Sequence, residues 1–423
     1  MTMGSHFVPD CFMPMGYMPF PMFMSSAAGW LESVGKEQGI EVFMRDSVTR
    51  GESYFRCYQF VRELAPDWIV FESAPSSWES DQSVLAQLAK ESPKSKVILT
   101  GTITADTAIV SALDWANIVA IVKGEYEKGV EQAITFDGKR LVIERQFLSA
   151  EEMNGPHGKW KWDEGCARNY FDENPLGQKA PQLQMWASRG CVYKCNFCAW
   201  PATMTNDDPL GTGKRQMRYY TGDYIENYIR ERLAVTPDLA CVYFDGDTEN
   251  ISDKHTLEIC EAMRKIGLPW SMMCRGDTSS REVWKEMKDS GCFGVKIGFE
   301  SGSQRVVNEI IGKGLDIQEA RETAIFLKEI GMTVHGTFMV GHPGETPEEA
   351  NQTIEFIKKL YADKGLDTHQ LSGTATISGT PLANLKAGET NKRYPGAKKD
   401  ENWHEDLDGQ KKAERLVQAT HGY

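Results

Sequence analysis

No stretch of this sequence is both long and apolar enough to cross a bilayer. The most apolar terminal run, Phe12 to Met24, is about half the length a span needs and is broken by Pro14, Pro19 and Pro21. It reads as neither a signal peptide nor an anchor. Positive charge is scarce as well: 47 Lys and Arg stand against 60 Asp and Glu, a net charge of −13. That balance argues against broad attachment to nucleic acid or anionic lipid and leaves room only for a small basic groove. Compositional extremes are absent too, since 41% hydrophobic and 25% charged residues fit neither disordered, collagen-like nor coiled-coil chains. Ten cysteines without a secretory signal point to reduced thiols in a cytoplasmic compartment, some of them free to hold metal. The 423 residues allow two or three domains.

Helix-like and strand-like segments alternate from Ala27 onward. Helices are expected at Ala27–Gln38, Tyr54–Leu64, Ser80–Glu91, Ala105–Ala112 and Lys128–Ile134, and strands at Ile40–Met44, Trp68–Phe71, Lys96–Thr100 and Ile118–Val122. This rhythm implies an α/β, doubly wound, Rossmann-like domain over 1–135. Residues 136–180, with Gly155-Pro156 and Asn174-Pro175, read as a connector with a short hairpin. A second βα series follows over 181–386. Its strands are expected at Gln182–Ala187, Leu239–Phe244, Trp270–Cys274, Gly294–Phe299, Thr333–Val340 and His369–Ile377. Six such units make a partial (β/α)6 barrel of the TIM type, with chemistry at the carboxyl ends of the strands. The tail, 387–423, is rich in Lys, Asp and Gly and is expected to pack loosely.

Directly after the first barrel strand stands Cys191-Val192-Tyr193-Lys194-Cys195-Asn196-Phe197-Cys198. Three thiolates in eight residues can converge only if the backbone loops around one centre. A structural zinc ion wants four protein ligands, and no fourth Cys or His follows nearby. A cubic iron-sulfur cluster on three cysteines keeps one iron open instead. The competing readings are three buried thiols packed as small hydrophobes, or a zinc site completed by distant Cys166 or Cys241. Polar Lys194 and Asn196 between the thiols argue against the first.

The loop resembles the hallmark of the radical S-adenosylmethionine (SAM) superfamily. The resemblance implies that Cys191, Cys195 and Cys198 bind a [4Fe-4S] cluster whose open iron chelates SAM. It also implies that an electron from the cluster cleaves SAM to a 5′-deoxyadenosyl radical, and that Phe197 packs near the adenine. The electron would come from a reductant such as flavodoxin or ferredoxin. By the same resemblance Asp245 and Asp247 meet the ammonium of SAM, Arg275 its carboxylate, and Glu300, followed by Ser301, its ribose hydroxyls. Ordinary turn acids, or an Arg275–Glu300 salt bridge, are the alternatives. Gly336-Thr337-Phe338-Met339-Val340-Gly341-His342-Pro343-Gly344-Glu345-Thr346 is similar to the family segment whose backbone, here at Val340, contacts adenine. Relatives carry an apolar residue where this chain has His342, which is either a satisfied turn histidine or a proton donor facing substrate. Ser378-Gly379-Thr380-Pro381-Leu382 resembles the closing loop of the family.

Several subfamilies place a cobalamin-binding domain before the barrel, and the N-terminal module is similar to it. The resemblance sets Glu72, Ser73, Ser76, Gly101, Thr102, Gly124, Glu125 and Tyr126, in loops after strands, near a corrinoid. The D-x-H-x-x-G motif that supplies a cobalt-ligating histidine is missing, and only Phe7 and Val8 stand where a first strand belongs. The Met- and Pro-rich run Phe12 to Met24 is either a loop over corrin or substrate or a core-capping segment. Together these features imply a cobalamin-dependent radical SAM methyltransferase acting on an unactivated carbon of a small-molecule or peptide substrate. A cobalamin-dependent cyclisation or rearrangement is a second reading. A methylthiotransferase is a third, although the N-terminal region offers only Cys11 and Cys57 where that class needs three further cysteines. A non-catalytic iron-sulfur or corrinoid carrier or sensor is the reading from another class.

Overall fold

The computed structural model describes residues 17–113, 117–385 and 392–398. Phe7, Val8, Cys11, the start of the Met- and Pro-rich run and nearly all of 387–423 lie outside the described residues. Contacts group the chain into two compact units: Met1–Phe171 with Ala199–Asp207, and Asp172–Cys198 with Asp208–Tyr423.

In the first unit, short apolar runs rich in β-branched residues form strands β1 (Trp68–Glu72), β2 (Lys96–Thr100) and β3 (Ile118–Val122). A fourth strand, β4 (Leu141–Ile143), pairs parallel to β3. It lies in the segment expected to be a connector and adds an edge strand to this sheet. The strands run in chain order and all parallel. A doubly wound sheet reverses its order at a switch point; among the described residues there is no reversal, which corrects the expected winding. Val61, Phe71, Leu88, Val97, Leu99 and Ile121 form the core against the sheet.

Ile40–Met44 is not a strand. It is a short, mostly apolar run, but a strand needs a ladder partner, and Phe43 stays half exposed. The helix expected from Ala27 instead starts at Met22, directly after Pro21, and runs to Val34. Phe20, Met22, Phe23 and Met24 are buried, and Phe20 stacks on Trp162 at 3.9 Å. From Phe20 to Met24 the Met- and Pro-rich run is therefore core, whereas Tyr17 is exposed.

The second unit contains β5 (Gln182–Met185), β6 (Cys241–Phe244), β7 (Trp270–Cys274), β8 (Cys292–Glu300), β9 (Thr333–Val340) and β10 (Thr368–Gly373). They form a six-stranded sheet in chain order, with every neighbouring pair parallel. The intervening helices start where hydroxyl or carboxylate caps satisfy the first free amides: Thr221, Ser252, Ser280, Asp316 and Thr346 all accept from helix N–H groups. Asp172 and Gln178, also expected in the connector, belong to this unit; Asp172 accepts from Lys296 on β8, and Gln178 Nε2 donates to Ser271 Oγ on β7 at 2.7 Å. They close off the amino-terminal side of the sheet and leave its carboxyl ends to the loops.

Candidate active site

The cysteine loop leaves β5 through Ser188-Arg189 and turns at Gly190, whose φ of +91° favours glycine. Asn196 pins the loop from three directions. Its backbone N–H donates to Ile311 O at 2.9 Å, its Nδ2 to Ile310 O at 2.8 Å, and its carbonyl accepts from Leu382 N at 2.9 Å. Sequence reasoning had used Asn196 only as evidence against a buried segment, yet it positions the thiols. Cys195 and Phe197 pack against Val306, Ile310, Ile311, Leu382, Leu385 and Tyr394. Val306–Ile310 is a single π-helical turn, a distortion that recurs at functional sites.

Cys191 is buried, while Cys195 and Cys198 are half-buried. Burial raises all three thiols, Cys191 to about 11. Charges of both signs lie beside them: Lys313, Arg275 and Arg215 oppose the rise at Cys195 while Glu300 adds to it, and at Cys198 Arg215 opposes what Asp247 adds, Asp247 also raising Cys191. Among the described residues no three Cys, His, Asp or Glu side chains converge tightly enough for one metal ion. A zinc site needs that convergence. A cuboidal cluster does not, because each thiolate meets a different iron corner. The distant candidates are otherwise engaged: Cys241 Sγ lies 3.0 Å from Lys179 O at the opening of β6, and Cys166 Sγ 3.7 Å from Tyr170 Oη. Three thiols in one pinned loop with buried Arg215, Arg275 and Lys313 beside it thus fit an anionic iron-sulfur cluster.

At the carboxyl end of β6, Asp245 and Asp247 are half-buried, and burial pushes Asp245 up to about 6. Glu249, not among the expected site residues, is fully buried. It accepts from Ala187 N at 2.9 Å and Ser188 Oγ at 2.6 Å, and burial pushes it up to about 7. It ties the end of β6 to the strand leading into the cysteine loop. A third acid in the run Asp245-Gly246-Asp247-Thr248-Glu249 was the signal that could have found it.

The alternative of an Arg275–Glu300 bridge is not what forms; each charge has another partner. Arg275 is buried and held by Asp277 through two contacts, 2.9 and 2.7 Å, while it lies 3.6 Å over the Tyr193 ring. Its backbone N–H donates to Asn250 Oδ1 at 2.8 Å. Glu300 pairs with Lys313 at 2.6 Å, and the same ammonium donates to Gly298 O at 2.6 Å. Glu300 also has φ +66° beside a register shift of β8, a strained conformation for a residue with a side chain, held by that lysine. Lys313, between Gly312 and Gly314, was missed because nothing in its local sequence shows that a loop lysine turns inward.

Ser301 is buried and meets Thr353 Oγ1 at 3.0 Å; the Val340 carbonyl accepts from Thr374 N at 2.9 Å. Phe197, half-buried, lies 5.9 Å from the His342 ring. His342 itself is fully buried, neither ring nitrogen has a partner, and burial pushes it down to about 3. It is thus not a satisfied turn histidine. Glu345 caps this turn, accepting from Gly341 N and from His342 N at 3.1 Å, and burial raises it to about 8. A carboxyl that is harder to ionise folded than unfolded makes the fold more stable below pH ~4.5 and less so as pH climbs through its folded value. Urea titrations should accordingly show wild-type stability falling between pH 5 and 9 relative to Glu345→Gln, whose amide cannot ionise; parallel curves would refute that assignment.

In the first unit, several expected corrinoid contacts are built into the protein. Ser73 Oγ donates to Asp81 Oδ2 at 2.6 Å, and Tyr126 Oη to Glu72 Oε1 at 3.0 Å. Glu125 is buried and accepts from Leu148 N at 3.4 Å. Gly101 has φ +94°, and a Cβ there would meet Ser73 O at 2.2 Å; at Gly124 it would meet Arg145 Cγ at 2.9 Å. Those glycines serve close backbone packing. Ser76 is exposed and Thr102 and Glu72 half-buried at the strand ends, with Glu72 pushed by burial up to about 7.

Residues 187–357 match the model of the Radical SAM superfamily. Over 359 residues it is 28% identical to an uncharacterized methyltransferase of Pyrococcus horikoshii, covering 79% of this chain and 73% of that protein. It is 26% identical to the cytidylyl-2-hydroxyethylphosphonate methyltransferase of Streptomyces wedmorensis over 52% of this chain, but spans only 41% of that relative's length. Among solved structures it resembles the radical SAM methyltransferase TsrM from Kitasatospora setae, with cobalamin and a [4Fe-4S] cluster bound. The TM-score is 0.62 at 15% identity, covering 84% of this chain and 70% of that one, a likeness of fold. The matched segment spans the three-cysteine loop and the strand ends that follow it. No helix among the described residues is long and apolar enough to cross a membrane.

Proposed function

We propose that this radical SAM chain is a cobalamin-dependent methyltransferase that acts on an unactivated carbon. The observation that carries the reading is the three-thiol loop at the carboxyl end of the first strand of a six-stranded parallel sheet, with Asp245, Asp247, Arg275 and Glu300 at successive strand ends. We read that sheet as the partial (β/α)6 barrel over 181–386 and the N-terminal module as the cobalamin-binding domain. When bound, the cluster, SAM and cobalamin supply a one-electron cleavage of the sulfonium and a transferable methyl group.

The chain's own part is placement. Cys191, Cys195 and Cys198 would hold the cluster, with Asn196 fixing their loop and Lys313, Arg275 and Arg215 offsetting its negative charge. Asp245 and Asp247, half-buried and acidic, would take an ammonium; carboxylates suit that cation. Phe197 offers an apolar face for a purine. Support for cobalamin comes from the likeness of fold to TsrM, while at the strand ends Ser76 is exposed and Thr102 half-buried. The substrate is read as a small molecule or peptide, and location as cytoplasmic. Anaerobic loading with iron, sulfide, SAM and a corrinoid tests the whole reading: 5′-deoxyadenosine and a corrinoid absorption band that stays with the protein are expected. Cluster without SAM cleavage would instead favour a carrier.

A further inference from the structure

On a chain of net charge −13, three segments carry basic residues and no acid: 189–198 with Arg189 and Lys194, 209–219 with Lys214, Arg215 and Arg218, and 392–398 with Lys392, Arg393 and Lys398. The fold brings all three together around the cysteine loop. Lys194 Nζ donates to Gly213 O, Arg215 Nη1 to Tyr193 O, and Tyr394 Oη to Lys194 O at 2.6 Å. A Cβ on Gly211 would lie 2.2 Å from Tyr394 Oη. Asp208 neutralises buried Arg215, and Glu309 is the acid beside Gly396. Lys214, Lys392, Arg393 and Lys398 are exposed, and Lys194 is half-buried. In the first two of these segments two apolar side chains reach solvent, Val192 at 42% and Leu210 at 55%. Val192 sits inside the cysteine loop itself, next to Cys191.

We propose that this basic, apolar-centred face is where an acidic one-electron carrier protein, a flavodoxin or ferredoxin, docks to reduce the cluster. The inference rests on the functional reading above, which requires a single electron to reach the thiol-bound centre. The carrier loses one electron and the cluster gains it; no bond or proton changes hands. Electron tunnelling falls steeply with distance, so the delivering surface has to lie over the loop that grips the cluster, and this one does. Opposite charge speeds encounter and orients a transient partner, while a small apolar centre gives contact without a permanent complex. A nucleic acid would be drawn by the same cations, but it has no use for their position over the thiols.

The test is stopped-flow reduction of the cluster-loaded full chain by photoreduced flavodoxin, compared with photoexcited deazaflavin, a small uncharged reductant. For the Lys214→Glu/Lys392→Glu variant, flavodoxin should reduce the cluster about tenfold more slowly or worse. Wild-type rates should drop as salt is added, and deazaflavin rates should be equal in both proteins. Equal flavodoxin rates, or no salt dependence, would overturn the proposal. Binding of flavodoxin to the cluster-free chain at low salt is a second readout, lost in the variant if the surface is right. Homopolymeric RNA binding in place of flavodoxin would overturn it too. If no cluster assembles, the functional reading fails, and the binding measurement still decides the surface.

Discussion

Replacing Cys191, Cys195 and Cys198 together by alanine is expected to reduce iron and sulfide from about four of each per chain to background, and SAM cleavage to nothing. The thiols lie in a loop beyond β5, outside the strands that carry the sheet. Circular dichroism of the variant should therefore match the wild type, separating loss of the centre from loss of the fold. Each single replacement leaves two ligands and should give a cluster that assembles poorly or is quickly lost. Iron that persists in the triple variant would remove the foundation of the functional reading. A control set, Cys260→Ala and Cys292→Ala, alters thiols buried away from the loop and should leave iron content unchanged.

Lys313→Met should produce the largest loss of stability. Lys313 and Glu300 have side chains only 7% and 11% exposed, so removing the ammonium strands a carboxylate away from water. Breaking one side of a buried pair costs about 3–5 kcal/mol. It also frees the carbonyl of Gly298 and the strained backbone of Glu300, both held by the same group. Adding Glu300→Gln should recover much of the loss, because the stranded group is then neutral. Urea unfolding of the two single variants, the pair and the wild type measures the coupling. A cost below about 1 kcal/mol, the size of an exposed pair, would show that water reaches Glu300. Because Lys313 also opposes the rise of the Cys195 thiol, cluster assembly in Lys313→Met should need a higher pH.

The strands and helices were largely legible in the sequence. Trp270–Cys274, Thr333–Val340, Asp253–Ile266 and Tyr54–Leu64 fall where apolar periodicity and caps set them. The cysteine spacing was equally plain, since three thiols in one short loop are brought near each other by the backbone alone. Where a segment needed a distant partner, local pattern failed in both directions. Ile40–Met44 is mostly apolar but finds no ladder, whereas Leu141–Ile143 sits among charged residues and pairs with β3 all the same.

Charged and polar groups at the strand ends show the same division most clearly. That Arg275, Glu300 and Glu345 end apolar strands or follow them is a property of the chain read in order. That Arg275 goes to Asp277, Glu300 to Lys313, and that Asn196 holds the thiol loop through Ile310, Ile311 and Leu382 was decided by tertiary structure. So were the sealing of His342 and the convergence of three basic segments at the cysteine loop. The physical reason is range: periodicity and capping act over a few residues, whereas burial and ion pairing depend on which remote segments the fold brings within a few ångströms. The sequence by itself determined the elements and the chemistry on offer at the three thiols; only the folded chain decided which charges are occupied and which remain to meet a ligand.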